Sequence, residues 1–299
     1  MAPLLLTLAV VFWAGNSIVG RALAGEAPPI TLTFCRWAVA FVLVTPMAWR
    51  HLAADGPELK RRWRTVLALS ATGVASFGTL LYVGLQSTTA LNSLVMQAAV
   101  PPLILLFAWA ALKERVSRLQ VGAVAVSLLG VLVVLSRGRP WDLLHLGLNP
   151  GDAYVLVAVV LYAVYSLVLR RRPDVHPLSL VWATFGITLV LLAPLSALEL
   201  ASGQVLSLTP KVLGGIVYIA LFPSFLSYLF FNRGVELIGP ARATQFLHLQ
   251  PVFGAILAVA LLGESFHLFH AAGLALIGVG IVLASRQPPA ASTAARPSR

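Results

Sequence analysis

Apolar runs of about 18 to 24 residues follow one another along nearly all of this 299-residue chain, separated by short polar links. Wound as a helix rising 1.5 Å per residue, a run of that length crosses a hydrocarbon core of about 30 Å. Helices are expected rather than strands, because the runs lack the alternation of apolar and polar residues that a membrane barrel needs. Hydrophobic residues make up 59% of the chain and charged residues 10%, against about 45–50% and about 25% in soluble domains. That composition does not suit a water-soluble fold.

Ten spans are expected, at 4–23, 31–49, 65–85, 90–112, 119–136, 150–169, 178–199, 212–232, 240–262 and 267–285. Short loops and a tail remain, with no separate soluble domain. Ala22, Leu23 and Ala24 resemble a signal-cleavage site, but Met1-Ala2-Pro3 lacks the basic residues of a signal, so the first run is read as a span. Cys35 is the only cysteine, which rules out a disulfide within the chain or a thiolate metal site. No metal or other cofactor is expected.

The net charge of +11 follows topology. With a cytoplasmic N-terminus, sixteen Lys and Arg fall on inner links and the tail, including Lys60, Arg61, Arg62 and Arg170 to Arg172. The outer side holds four: Arg21, Arg137, Arg139 and Lys211. This positive-inside bias places both termini in the cytoplasm and argues against a nucleic-acid partner.

The chain also repeats itself. PPLILLFAWAALKE (Pro101 to Glu114) and PVFGAILAVALLGE (Pro251 to Glu264) lie 150 positions apart, and the same offset pairs Gly84 with Gly234 and Gly130 with Gly280. With small slips, Trp13-Ala14 matches Tyr162-Ala163, Ser17 matches Ser166 and Pro29 matches Pro177. Two five-span units follow, and an odd number of spans makes the second enter the membrane inverted. The expected fold is therefore all-α and integral to the membrane, with ten helices in two inverted five-helix repeats, at 1–140 and 141–287. Residues 288–299 are expected to form a disordered cytoplasmic tail. Inverted repeats of this kind support alternating access around a site near the midplane.

Ten spans, the inverted repeat, Trp13-Ala14-Gly15-Asn16-Ser17, Phe34-Cys35-Arg36-Trp37 and the two Pro-to-Glu segments resemble the drug/metabolite transporter superfamily, EamA type. Within it the chain is similar to the bacterial amino-acid exporters called YddG. The resemblance implies a secondary exporter of small metabolites in the bacterial cytoplasmic (inner) membrane, its cavity built from spans 1 to 4 and 6 to 9. Spans 5 and 10 would be peripheral supports.

Several residues are candidates for carrying transport. Pro101 and Pro251 each remove a backbone donor near mid-span and free a carbonyl, at Gln97 and Leu247, so both are candidate hinges, with a static kink as the alternative. Polar and aromatic groups inside apolar runs are costly and mark a substrate path: Trp13, Asn16, Tyr82, Asn92 and Gln97 in the first half, and Tyr162, Tyr165, Tyr228, Gln245 and His248 in the second. Most other hydroxyls are expected to bond their own helix. His248 is read as the only intramembrane group that changes charge near neutrality. Arg36 either holds a substrate carboxylate or snorkels to the interface and binds helix-end carbonyls.

All ten carboxylates lie in loops or at span ends. Organic cations would want a countercharge in the cavity, so neutral or zwitterionic substrates, amino acids above all, fit better than cations. A broad-specificity drug/metabolite efflux pump is the alternative. An enzyme would need paired carboxylates, clustered histidines or a phosphate-cradling loop, none of which is in the sequence. A channel would need polar rings rather than central prolines. One chain with ten spans can close its own cavity, so a monomer is expected, with small residues such as Ala123, Ser127, Gly273, Gly278 and Gly280 free to pack within or between chains.

Overall fold

The computed structural model describes residues 1–113, 117–139 and 149–285, and these are helical, with no strand among them. Eight helices are long and apolar enough to cross a membrane: α1 (Ala2–Ala22), α2 (Pro29–Arg61), α3 (Trp63–Leu85), α4 (Ala90–Ala111), α5 (Arg118–Leu135), α6 (Pro150–Leu169), α7 (Pro177–Ala201) and α8 (Pro210–Ile238). Two shorter apolar helices follow, α9 (Phe246–Leu262) and α10 (Leu268–Ala284). A six-residue helical turn, Pro240–Gln245, leads into α9. Glu114 and the expected tail at 288–299 lie outside the described residues.

Local chemistry sets the helix starts. Proline occupies the first turn of α1, α2, α6, α7 and α8, where its missing N–H is no loss and its fixed φ suits a helix. Side-chain caps at Thr89, Ser117, Asn149 and Thr209 accept the backbone N–H groups that open α4, α5, α6 and α8.

Hydropathy placed the end of span 2 at residue 49, but α2 runs on to Arg61. Its 33 residues make a rod of about 50 Å at 1.5 Å per residue, so the last three turns stand clear of the apolar layer. Glu58 supports them by pairing with Arg61 and Arg62 one turn on. A hydropathy window ends where polarity begins, and the helix does not.

Irregularities recur at matched places in the two halves. A π-turn interrupts α3 at Ser70–Ser76 and another interrupts α8 at Phe222–Leu226; adding 150 to 72–76 gives 222–226. α4 breaks at Ala98 and Ala99 just before its prolines, and α9 opens with a 3₁₀ turn, Phe246–Leu249, just before Pro251. The helix in each repeated segment is capped by a left-handed residue, Lys113 at φ 53° and Gly263 at φ 66°.

α5 packs along α10 and α2 along α7. The first contact is close because it is made of small residues: a Cβ on Gly130 would lie 2.7 Å from the Gly273 carbonyl oxygen, and one on Gly280 would lie 2.5 Å from that of Ala123. Ala123, Ser127, Gly273 and Gly280 thus pack within the chain, while Gly278 has nothing within 4 Å. The main core, around Leu81, Leu94, Met96, Val155 and Ile219, joins α1, α3, α4, α6 and α8.

The carboxylates at helix ends hold other helices by their N-termini, where free N–H groups and the helix dipole favour negative charge. Glu199 accepts from Ile30 N at 3.1 Å and Thr31 N at 2.7 Å. Glu264 accepts from Ala90 N at 2.8 Å and Leu91 N at 2.9 Å. Asp55 accepts from His176 N, and Asp152 bonds Thr88. Most of these contacts, with Lys211 on Glu26, cluster at the end of the bundle where α1 finishes and α2 and α4 begin.

Candidate functional site

A buried polar cluster lies where α1, α2, α3 and α8 meet. Arg36, two turns into α2, is 6% exposed. Its Nη1 donates to Asn16 Oδ1 and to the Tyr82 hydroxyl, both at 3.0 Å, and its Nε donates to Ser224 Oγ at 2.6 Å. Tyr82, fully buried, donates in turn to Asn16 Oδ1 at 2.7 Å. The guanidinium carbon stands 4.5 Å from the ring centroid of Trp37, a cation–π distance. Arg36 therefore does not snorkel. The arginine that binds helix-end carbonyls is Arg21, which donates to the oxygens of Leu85 at 2.8 Å and Gln86 at 3.2 Å.

The α8 π-turn delivers Ser224 to this cluster. Pro223 has no N–H and its ring crowds the carbonyl four residues back, Ile219. Ser224 Oγ donates to that freed oxygen at 2.6 Å while accepting from Arg36. Trp13 Nε1 donates to Pro223 O at 3.0 Å, and Ser227 Oγ reaches Ala9 O at 3.1 Å, so α1 is sewn to the turn from two sides. π-turns of this sort often mark functional sites. Sequence reading missed both π-turns; a proline inside span 8 was the available signal for the second.

Aromatic residues adjoin the cluster. Trp13 meets Tyr228 edge-on at 6.0 Å and Phe231 at 5.4 Å. Tyr162 packs on Phe77 at 4.9 Å and on Tyr165 at 5.3 Å. Glycines make room for two tyrosines: a Cβ on Gly73, inside the α3 π-turn, would fall 2.1 Å from the Tyr165 ring, and one on Gly15 would fall 2.1 Å from the Tyr218 hydroxyl. A cavity of about 30 Å³ is lined by Ser224 and Tyr228 with Val44, Phe185 and Asn232. A depression of about 520 Å³ lies at the end of the bundle where α1 finishes, among Arg21, Gly25, Gln86, Thr89 and Glu264.

The remaining candidates lie apart. Gln97 Nε2 donates to Ser17 Oγ at 3.1 Å and to Ser93 Oγ at 3.0 Å, tying α4 to α1. Asn92 Oδ1 pairs with His270 Nε2 at 2.9 Å, where α4 meets α10. His270, 3% exposed, is a further histidine inside an expected span: it sits in the first turn of α10. Its other ring nitrogen accepts from His267 N at 3.0 Å, an arrangement that places the proton on Nε2. Gln245 and His248 are exposed and make no side-chain hydrogen bond among the described residues. Pro101 and Pro251 both stand in the first turn of the helical segment that follows a break. Many other hydroxyls bond their own helix, as with Thr45 on Phe41 O and Ser166 on Tyr162 O.

A multi-pass helical membrane protein whose buried polar cluster is reached through several helices has the build of a small-molecule transporter. The chain belongs to the EamA-like transporter family, which matches residues 1–136 and 149–286. It is 28% identical to YyaM, an uncharacterized transporter of Bacillus subtilis (strain 168), over 76% of this chain and 75% of that one. It is 25% identical to the inner membrane protein YtfF of Escherichia coli (strain K12), over 94% of each. A crystal structure superimposes on 95% of this chain and 96% of its own with a TM-score of 0.63 at 20% identity, so the fold is shared.

Proposed function

We propose that this membrane transporter is a secondary exporter of small metabolites that works by alternating access. In this reading all ten apolar helices cross the bacterial inner membrane, both termini are cytoplasmic, and the two five-helix units are inverted copies. Amino acids are the first substrates to test, in keeping with the resemblance to YddG-like exporters, and the working unit is a monomer.

The observation that carries the proposal is the pairing of irregularities: π-turns in α3 and α8, breaks before Pro101 and Pro251, and left-handed ends at Lys113 and Gly263. Each is a place where the helix ladder is weakened and a segment can tilt. Their recurrence at one offset supports two halves able to exchange conformations, as alternating access requires. The bundle end held by Glu199, Glu264 and Arg21 is the closed outer gate, with Gln245 and His248 toward the cytoplasmic entry. Trp13, Asn16, Tyr82, Tyr162, Tyr165 and Tyr228 line the path between.

Counterflow of a panel of amino acids in proteoliposomes tests this, comparing wild type with Tyr228→Ala and Gln245→Ala. Uptake that saturates and is slowed by both substitutions is expected. Movement of cationic dyes with no amino acid counterflow would reverse the substrate assignment.

A further inference from the structure

Arg36 is the only buried Arg or Lys among the described residues. Every side chain it touches is neutral: Asn16, Tyr82, Ser224 and the Trp37 ring. No carboxylate pairs with it among the described residues, and the buried carboxylates Glu199 and Asp152 are engaged at helix ends. Its second terminal nitrogen, Nη2, donates to no group among the described residues. A buried cation without a countercharge is costly even when neutral groups bond it, and a guanidinium with an unused arm is shaped to receive a planar carboxylate.

The surroundings define the rest of the ligand. Trp13 and Asn16 lie one turn apart on α1 and so share a helix face, and Ser224 and Tyr228 on α8 line one small cavity. The Trp13–Tyr228 aromatic pair therefore stands about one turn, roughly 5 Å, along the bundle from the polar cluster.

We infer that Arg36 receives the carboxylate of the transported molecule, and that the substrate class is small carboxylates with an apolar or aromatic body resting on Trp13 and Tyr228. This rests on the transport reading above and adds the group that is recognised. Asn16, Tyr82 and Ser224 are positioning residues that hold the guanidinium in place.

The test compares 3-phenylpropanoate and phenylalanine with 3-phenylpropanamide and phenylalaninamide on the purified full-length protein. Thermal stabilisation is read in detergent and counterflow in liposomes. Either carboxylate should stabilise wild type and be counterflowed, with a preference of about tenfold or more over its amide, since a buried group built to pair penalises an analogue that cannot. Whichever of the two is stronger shows whether an α-ammonium is also accommodated. Arg36→Gln should abolish the carboxylate preference, and Arg36→Lys should keep part of it.

Equal stabilisation by amides and carboxylates in wild type would overturn the inference without needing any variant, as would an Arg36→Gln protein that keeps the preference. Carboxylate binding with no counterflow would leave Arg36 in place as the recognition group and remove the transport reading instead.

Discussion

The two copies of the Pro-to-Glu line share a pattern and differ in how they are held. In the first copy, α4 enters its break from a buried, capped segment: Ala90 to Met96 are all buried, Glu264 and Thr89 satisfy the leading N–H groups, and Gln97 is bonded to Ser17 and Ser93. In the second, the position equivalent to Gln97 is Leu247, in a 3₁₀ turn flanked by exposed Gln245 and His248. Downstream the order reverses in part, for Gly254 lets α9 press on Leu94 where a Cβ would come within 2.5 Å. One apolar text can thus serve as a fixed wall or a loosely held arm, depending on what caps its first turn.

That contrast can be broken experimentally, and the largest effect is expected at Glu264. Glu264→Ala strands two backbone donors, and hydrogen bonds to charged groups contribute about 1.5–3 kcal/mol each. A lower unfolding temperature in detergent is expected, with faster labelling of Ala24→Cys by a membrane-impermeant thiol reagent. Unchanged labelling would mean that the carboxylate does not hold this end of the bundle shut as proposed.

Next come the prolines. Pro251→Ala restores an N–H in the loosely held copy and should slow counterflow by about tenfold, equivalent to about 1.4 kcal/mol in the barrier. Pro101→Ala, in the stitched copy, should slow it less. Equal effects would show that the two copies bend alike, and unchanged rates in both would reduce the bends to static kinks.

Gln97→Leu makes the first copy imitate the second. It removes bonds worth about 0.6 kcal/mol each on average within membranes, so a modest loss of stability is expected by thermal unfolding, with transport retained. The smallest effect is expected for His248→Ala, because an exposed side chain with no hydrogen bond among the described residues contributes within about 0.5 kcal/mol of nothing. A large loss of stability there would show that α9's leading turn is held after all.

Much of the architecture was legible in the residues because it depends on quantities that add up locally. Apolar length announces the helices, and the repeat announces where Pro101 and Pro251 would break them. The continuation of α2 to Arg61 was not legible, since a helix that leaves the apolar layer keeps its hydrogen bonds while its hydropathy collapses. The α8 π-turn was hidden for another reason: its extra carbonyls are satisfied by Trp13 and by Ser224, partners that no local window brings together. Asn92 and Gln97 stood out as polar residues in apolar helices, yet only packing assigned one to His270 and the other to Ser17.

What the sequence determined by itself is the class: a helical membrane chain with its carboxylates in loops or at the ends of apolar runs. Those features follow from counting residues against the bilayer's thickness and the cost of burying charge. What only the tertiary structure decided is which groups meet. Arg36 reads in isolation as a residue near a helix start, and it becomes a buried cation with an unused arm because α1, α3 and α8 bring Asn16, Tyr82 and Ser224 around it. Burial and hydrogen bonding are properties of several helices at once, so no single span carries them.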